Sequence, residues 1–402
     1  MLWNSNGVHT NSGYAVFQRD LLYRLLEDGW PVAQVAFWGI EGYPIPLDGE
    51  FFEKRFRGLK LKMYPKIGEP FGSDAMYLHA KDYKANVVFS MQDVQNLNPE
   101  FLIKLSQDKI PWIPYCPIDK DPTPPMVLDK LKYAYKIVTF SKFGQKTLQD
   151  SGFASTLILE GTDPTVFKPL DRSVCRKELG LPDKGFMFLM VAANKENPPR
   201  KGFQEALEAF KKFQDKHPDA FLMIHSQQPS PAGFPIKPFA NHIGINMNQL
   251  FFMEEYRAVF NSDSHTIAQE MNASNVLLHP SQTEGFGLTV IESMSCGIPA
   301  IVNNTTSMPE LVVDGVTGEI CNAGVRRYTN YLSWTYAADT ASLYEKMENV
   351  YNRLQSDEAN IAKACRQHVI DNYDMDKLYQ EKWLPFLEKL QEKVMGPLPS
   401  TG

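Results

Sequence analysis

A chain of 402 residues exceeds one ordinary hydrophobic core and suits two domains of about 150 to 200 residues each. Hydrophobic residues at 43% and charged residues at 22% set aside wholesale disorder and a membrane-embedded class, and the net charge of −6 gives no global attraction to nucleic acid, leaving only a local basic groove to consider. The start, Met1-Leu-Trp-Asn-Ser-Asn, has neither a basic lead nor an apolar stretch, and the longest apolar run, Phe186 to Ala193, is too short to cross a bilayer; neither an export signal nor a span is expected. Cys116, Cys175, Cys296, Cys321 and Cys365 are scattered without a close pair and read as reduced core thiols, which fits a cytoplasmic location.

Along the chain, short apolar or β-rich runs alternate with amphipathic stretches, the signature of βαβ units and parallel sheets. In the first half the spacing predicts strands over Val32 to Phe37, Asn86 to Met91, Trp112 to Cys116, Lys136 to Phe140 and Thr156 to Glu160, with helices over Tyr14 to Glu27, Pro99 to Gln107 and Lys142 to Asp150. Between Phe51 and Lys66, six cations interleave with apolar side chains; a half-exposed strand, with Leu59, Leu61 and Met63 alternating with Lys60 and Lys62, is preferred over a peripheral membrane or polyanion patch. Two prolines and no helical period make Thr162 to Asp171 the linker candidate. A second series follows, with strands over Phe186 to Ala192, Ala220 to His225, Leu250 to Met253, Asn275 to His279 and Ala300 to Val302, and helices over Phe203 to Lys216 and Leu288 to Ser295. From Ala338 to about Gln391 the pattern is helical, and Trp383, Leu384, Phe386, Leu387 and Leu390 give its end an apolar stripe that needs a partner; Gly396 onward reads as a frayed tail. The expected fold is α/β, two doubly wound domains in tandem with ligands where the carboxyl ends of the two sheets face one another.

Two constellations can carry chemistry. In His279-Pro-Ser-Gln-Thr-Glu-Gly-Phe-Gly-Leu-Thr-Val-Ile-Glu, a strand ends, a glycine-flanked loop follows and a helix starts near Gly287 or Leu288. Unpaired N–H groups at that start, together with the helix dipole, suit phosphate oxygens, and Gly285 and Gly287 permit close approach. Glu284 in the loop and Glu292 within the helix can touch different parts of one elongated ligand. The second constellation is Asn194-Lys-Glu-Asn-Pro-Pro-Arg-Lys-Gly-Phe, where Arg200 and Lys201 precede a helix; adjacent cations there suit a diphosphate better than a merely soluble surface.

These segments resemble the retaining glycosyltransferases of family 4 (glycosyl transferases group 1). The resemblance is carried by Glu284-Gly-Phe-Gly-Leu through Glu292, Arg200-Lys201-Gly202 and Met308-Pro-Glu-Leu-Val-Val-Asp-Gly-Val-Thr-Gly, and it extends over Ser141-Lys-Phe-Gly, Glu160-Gly-Thr-Asp-Pro and the Asn11-Ser-Gly-Tyr loop. It implies the GT-B architecture: residues 1–165 as an acceptor domain completed by a returning C-terminal helix at 372–395, and residues 166–371 as a donor domain, facing across a cleft. It further implies that Arg200 and Lys201 bind the donor diphosphate and that Glu292 accepts hydrogen bonds from the ribose. Glu284 would hold the transferred sugar, and Gly285, Phe286, Gly287, Leu288 and Thr289 would line sugar and phosphate. Ser12 and Gly13 would approach from the first domain. The co-substrate implied is a UDP- or GDP-linked sugar with no cofactor and no metal. The acceptor is open among carbohydrate, lipid-linked sugar, protein and modified nucleic-acid base.

The chain departs from the family in two places. Where relatives carry a histidine beside the sugar it reads Cys116-Pro-Ile-Asp-Lys-Asp-Pro, so Asp119 is the candidate substitute, and Asn194 stands where an arginine is frequent. Asp119-Lys-Asp121 also has the form of a metal-holding triplet from a different transferase architecture, a reading disfavoured by the cations already present. His9, His79, His225, His242, His265 and His279 show no metal spacing and read as structural or exposed. Three alternatives stay open. A GT-B sugar-nucleotide epimerase needs no acceptor, and a catalytically silent nucleotide-sugar-binding protein fits the missing histidine. A NAD-dependent oxidoreductase lacks its glycine fingerprint here.

Overall fold

Two sets of parallel strands form where apolar runs are flanked by capped helices. The computed structural model describes residues 1–41, 45–47, 58–227, 230–253 and 263–395. They divide into unit 1, comprising Met1–Ile118, Pro122–Gly161 and the chain from Met375, and unit 2, comprising Asp119–Asp121 and Thr162–Asp374. The chain thus leaves unit 1 at Gly161, and three residues of the 116–122 loop are grouped with unit 2.

Unit 1 is built on strands β1 (Leu2–Asn6), β2 (Ala33–Glu41), β3 (Ile45–Leu47), β4 (Leu61–Lys66), β5 (Val88–Ser90), β6 (Trp112–Cys116), β7 (Val138–Thr139) and β8 (Thr156–Leu157), in the order β3-β4-β2-β1-β5-β6-β7-β8. All neighbours are parallel except β3 with β4. The sequence pattern predicts no strand at the amino end, yet β1 lies mid-sheet between β2 and β5. The reason is that Asn4, Ser5 and Asn6, polar and between 0% and 9% exposed, find partners outside the strand, those of Asn4 and Ser5 from distant segments. Asn4 Nδ2 donates to the Gly72 carbonyl at 3.1 Å, Ser5 Oγ to the Met91 carbonyl at 2.9 Å, and Asn6 Nδ2 to Ser12 Oγ at 2.6 Å. A buried polar group with a partner costs little, so a polar run can be a central strand. In β4, Leu61 and Met63 are buried and Lys62 between them is exposed, as a half-exposed strand requires; residues 51–57 of that basic stretch and the tail from Gly396 lie outside the described residues.

The C-terminal helical turns from Met375 to Met395 carry the apolar stripe, and the core of unit 1 supplies its partner. Trp383 is fully buried, with ring centroids 5.1 Å from Tyr115, 5.8 Å from Trp3 and 6.5 Å from Phe17, all within unit 1. Buried Arg24 donates to Asp376 at 2.8 Å, and the Tyr379 hydroxyl donates to Asp28 at 2.7 Å. Trp383→Ala should therefore destabilise unit 1 by about 3 to 5 kcal/mol. Urea unfolding followed by circular dichroism reads this, and a loss under about 1 kcal/mol would mean the stripe is not part of this core.

Unit 2 contains β9 (Met187–Val191), β10 (Phe221–His225), β11 (Leu250–Phe252), β12 (Val276–His279), β13 (Ala300–Asn303) and β14 (Gly318–Cys321), all parallel, in the order β11-β10-β9-β12-β13-β14. An antiparallel hairpin follows, β15 (Ala323–Tyr328) with β16 (Trp334–Ala338), where the sequence pattern announces no strands. The helices Phe203–Lys216 and Leu288–Ser295 have the bounds their periodicity predicts. All five cysteines are buried free thiols. No helix among the described residues is long and apolar enough to cross a membrane.

Candidate functional site

In unit 2 the chain runs outward from β9 through β10 to β11, then returns to the other side of β9 as β12. The loops leaving the carboxyl ends of β9 and β12 diverge at this switch point, where doubly wound sheets hold ligands. Those two loops carry Arg200-Lys201-Gly202 and Ser281 to Gly287.

Glycine makes their contact possible. Gly202, with φ of +75°, lies so close to the second loop that a Cβ would sit 2.3 Å from the Pro280 carbonyl oxygen. The loops are then joined by Gln282 N–H donating to the Arg200 carbonyl at 2.7 Å and by Arg200 Nη1 donating to the Thr283 carbonyl at 2.7 Å. The Lys201 ammonium donates to Glu284 Oε1, and Arg200 Nη1 stands 3.8 Å from Glu284 Oε2. His279, at the end of β12 and 4% exposed, completes the cluster: its Nε2 is 3.2 Å from Glu284 Oε1, and its Nδ1 is 3.2 Å from the Thr289 hydroxyl.

Burial alone would push the Glu284 carboxyl up, but the Lys201 ammonium, the His279 hydrogen bond and the Arg200 guanidinium hold it well below the usual carboxylate range. Burial draws the Lys201 ammonium down from its ordinary value, with Glu284 opposing. The result is an ionised carboxylate against two cations, at the edge of a helix start. That start is Gly287, with φ of +117°, before Leu288–Ser295, and its first-turn N–H groups point where an anion is favoured. Ser307 Oγ donates to both the Glu284 and Phe286 carbonyls, at 2.9 and 2.8 Å, and Glu284 N–H donates to Thr306 Oγ1 at 3.0 Å, which fixes the loop.

Arg200, Lys201, Glu284 and Thr289 are therefore brought together. Glu292 lies one turn further into the same helix and is 6% exposed. Asp119 joins through Thr283, whose Oγ1 donates to its Oδ2 at 3.4 Å, while Lys120 Nζ donates to both Asp119 oxygens at 2.7 and 2.9 Å. Asn194 lies in the loop that leaves β9. At 2% exposed, its amide bonds Phe234 in both directions, at 2.9 and 2.8 Å, so that it pins a neighbouring loop. Ser12 and Gly13 belong to unit 1, where Ser12 Oγ caps the helix Gly13–Glu27 by accepting from Ala15 N–H at 3.2 Å. The cluster member that the sequence pattern does not single out is His279. The available signal was its place as the last residue of a strand whose loop carries Glu284 five positions on.

Residues 171–349 match the family model for glycosyl transferases group 1. Among curated proteins, N-acetyl-alpha-D-glucosaminyl L-malate synthase of Bacillus anthracis is 22% identical over 236 residues, 59% of this chain and 54% of that protein. D-inositol 3-phosphate glycosyltransferase of Mycobacterium leprae is 28% identical over 164 residues, 40% of this chain and 35% of that protein. The chain thus spans about half the length of the first relative and about a third of the second. Among solved structures, sucrose-phosphate synthase of Thermosynechococcus elongatus aligns over 98% of this chain and 99% of its own with a TM-score of 0.74 at 16% identity. Anabaena HepE in complex with UDP and glucose aligns over 97% and 99% with a TM-score of 0.68 at 17% identity. These neighbours share the α/β, GT-B type of fold, two Rossmann-like domains with parallel sheets.

Proposed function

We propose, from the match of residues 171–349 to the glycosyl transferases group 1 family model, that this chain moves a glycosyl group from a nucleoside-diphosphate sugar to an acceptor, with retention at the anomeric carbon and without a metal. The observation that carries the reading is the meeting of Arg200, Lys201 and Glu284 at the β9/β12 switch point beside the start of Leu288–Ser295. As the bond from the anomeric carbon to the phosphate oxygen breaks, negative charge grows on the departing diphosphate. Lys201, Arg200 and the helix start are fixed donors for that charge. Glu284, held ionised, accepts hydrogen bonds from sugar hydroxyls and opposes the positive charge developing on the ring. The acceptor oxygen bonds the anomeric carbon on the face the phosphate leaves, and its proton passes to the departing phosphate oxygen, so no protein nucleophile is needed. Glu292 holds the ribose. That HepE was obtained with UDP and glucose supports a nucleotide-linked sugar as the donor class.

Freedom from metal is supported at Asp119-Lys-Asp121. Lys120 supplies the positive charge against Asp119, and the Asp121 carbonyl accepts from Trp334 N–H at 3.1 Å, which ties that triplet to the hairpin. The test is a screen of UDP- and GDP-sugars for slow donor hydrolysis, repeated after exhaustive chelation. Hydrolysis of at least one donor, unchanged by chelation, is the expected result. Activity lost on chelation and restored by Mg²⁺ or Mn²⁺ would overturn the metal-free mechanism, and absence of hydrolysis and of binding for every donor would overturn the reading itself.

A further inference from the structure

The hairpin β15–β16 has no role in the chemistry above, yet it carries an unusual surface. Its register sets Arg326 opposite Tyr336 and Tyr328 opposite Trp334, so these four side chains share one face. The Arg326 guanidinium lies 4.3 Å over the Trp334 ring, and the Tyr328 and Trp334 centroids are 4.9 Å apart, edge to face. Tyr328 is 57% exposed, and Tyr331 in the turn is 40% exposed. Exposed aromatic rings grouped together and rimmed by polar groups mark a binding surface.

Hydrogen bonds tie the hairpin backbone to the loops of the candidate donor site. Asn303 Nδ2 donates to the Ser281 carbonyl at 3.1 Å and to the Tyr336 carbonyl at 2.9 Å, joining the loop that leads to Glu284 directly to β16. Trp334 N–H donates to the Asp121 carbonyl, Lys120 Nζ lies 5.0 Å over the Tyr331 ring, and Asp119 beside it accepts from Thr283, the residue before Glu284. Flat apolar ring faces next to a guanidinium, an ammonium and a carboxylate match a pyranose, which offers an apolar face of C–H groups and a rim of hydroxyls. A long hydrocarbon chain would have no use for the polar members of this set.

We infer that the β15–β16 hairpin, with the Asp119–Asp121 loop, is an acceptor-recognition element in addition to the acceptor domain and that the acceptor it selects is a pyranose-bearing carbohydrate, stacked on the Tyr328/Trp334 face with Arg326 at its rim. The inference rests on the transferase reading for the reaction, but saccharide binding can be measured without turnover. The probes are a panel of p-nitrophenyl α- and β-hexopyranosides, read by saturation-transfer NMR on the full chain and, separately, as acceptors beside donor hydrolysis. The expected result is saturation transfer to the pyranose protons of at least one glycoside and transfer of the donor sugar to it. Tyr328→Ala and Arg326→Ala, both at exposed positions, should weaken binding and raise the acceptor KM by about tenfold each, on the scale of one lost stacking contact, while donor hydrolysis is unchanged. Tyr328→Phe, which keeps the ring, should restore most of the loss. Intact donor hydrolysis with no saturation transfer to any glycoside, or with Ala variants identical to wild type, overturns the inference and leaves the transferase reading standing. Hairpin-dependent sedimentation with phosphatidylglycerol vesicles but no glycoside binding overturns it in favour of a membrane surface. Hairpin-dependent glycoside binding without any donor hydrolysis or donor binding supports the saccharide face and rejects the transferase reading alone.

Discussion

Lys201→Ala is expected to lower donor turnover by about 100-fold or more, because on the proposed reading it removes one of the two cations that would meet the growing charge of the leaving diphosphate. The Lys201 and Glu284 side chains are 18% and 12% exposed, so the substitution also leaves a largely buried carboxylate with only Arg200 and His279 beside it. Breaking such a pair costs about 3 kcal/mol. A drop in activity could then come from unfolding, and two controls separate the causes. In Lys201→Ala with Glu284→Gln no unpaired charge remains, so stability should recover while turnover stays low. The pH dependence gives a second readout. The Glu284 carboxyl is depressed in the folded chain, so its stabilisation is present above the ordinary carboxylate range and lost as pH falls through the lower folded value. Removing Lys201 raises that folded value, and acid unfolding should begin at a higher pH than in the unaltered chain. Turnover within about twofold of the unaltered enzyme, in a folded variant, would remove Lys201 from the mechanism.

The second large effect separates the two glutamates. Glu284 touches the cation pair and, on the proposed reading, would stand where the ring gains positive charge, an interaction stronger in the transition state than in the ground state. Glu284→Gln should therefore depress kcat while leaving the affinity for free nucleoside diphosphate nearly intact. Glu292, a turn into the helix, would bind the ribose equally in both states. Its replacement by alanine should weaken donor and free nucleotide alike by about 1.5 to 3 kcal/mol, with little change in kcat. Calorimetric titration with the nucleoside diphosphate, beside steady-state kinetics, reads both. If Glu284→Gln weakens nucleotide binding as much as Glu292→Ala does, the division of roles fails. In Glu284→Gln, Lys201 also loses its carboxylate partner, so nucleotide binding tighter than in the unaltered chain agrees with a carboxylate that competes with phosphate for the same cations.

The alternation of strands and helices was readable because it is a short-range property. Apolar runs such as Met187–Val191, helices such as Phe203–Lys216, and the Gly287 start of Leu288–Ser295 are set by residues within a few positions of one another. The same locality made Glu284, Glu292, Arg200 and Lys201 visible as candidates, since each lies in a loop or helix start whose glycines and charges are adjacent in sequence. Local pattern failed where a residue's environment comes from far along the chain. Asn4 and Ser5 look unsuited to a strand interior until Gly72 and Met91 are found to partner them. The β15–β16 hairpin has too many polar and exposed positions to announce a strand, and β16 is anchored by Asn303 and Asp121. The sequence by itself thus determined the two αβ series, the cationic pair, the two glutamates and the phosphate-suited helix start. Only the tertiary structure decided that Lys201 meets Glu284 across 83 positions, that His279 bridges Glu284 and Thr289, that Asn194 pins a loop, and that Asp119 is tied to Lys120 and Thr283. Strand and helix preferences are fixed by neighbours in sequence. The pairing of charges and hydrogen bonds depends on which loops the sheet order, and the missing side chain of Gly202, bring within reach.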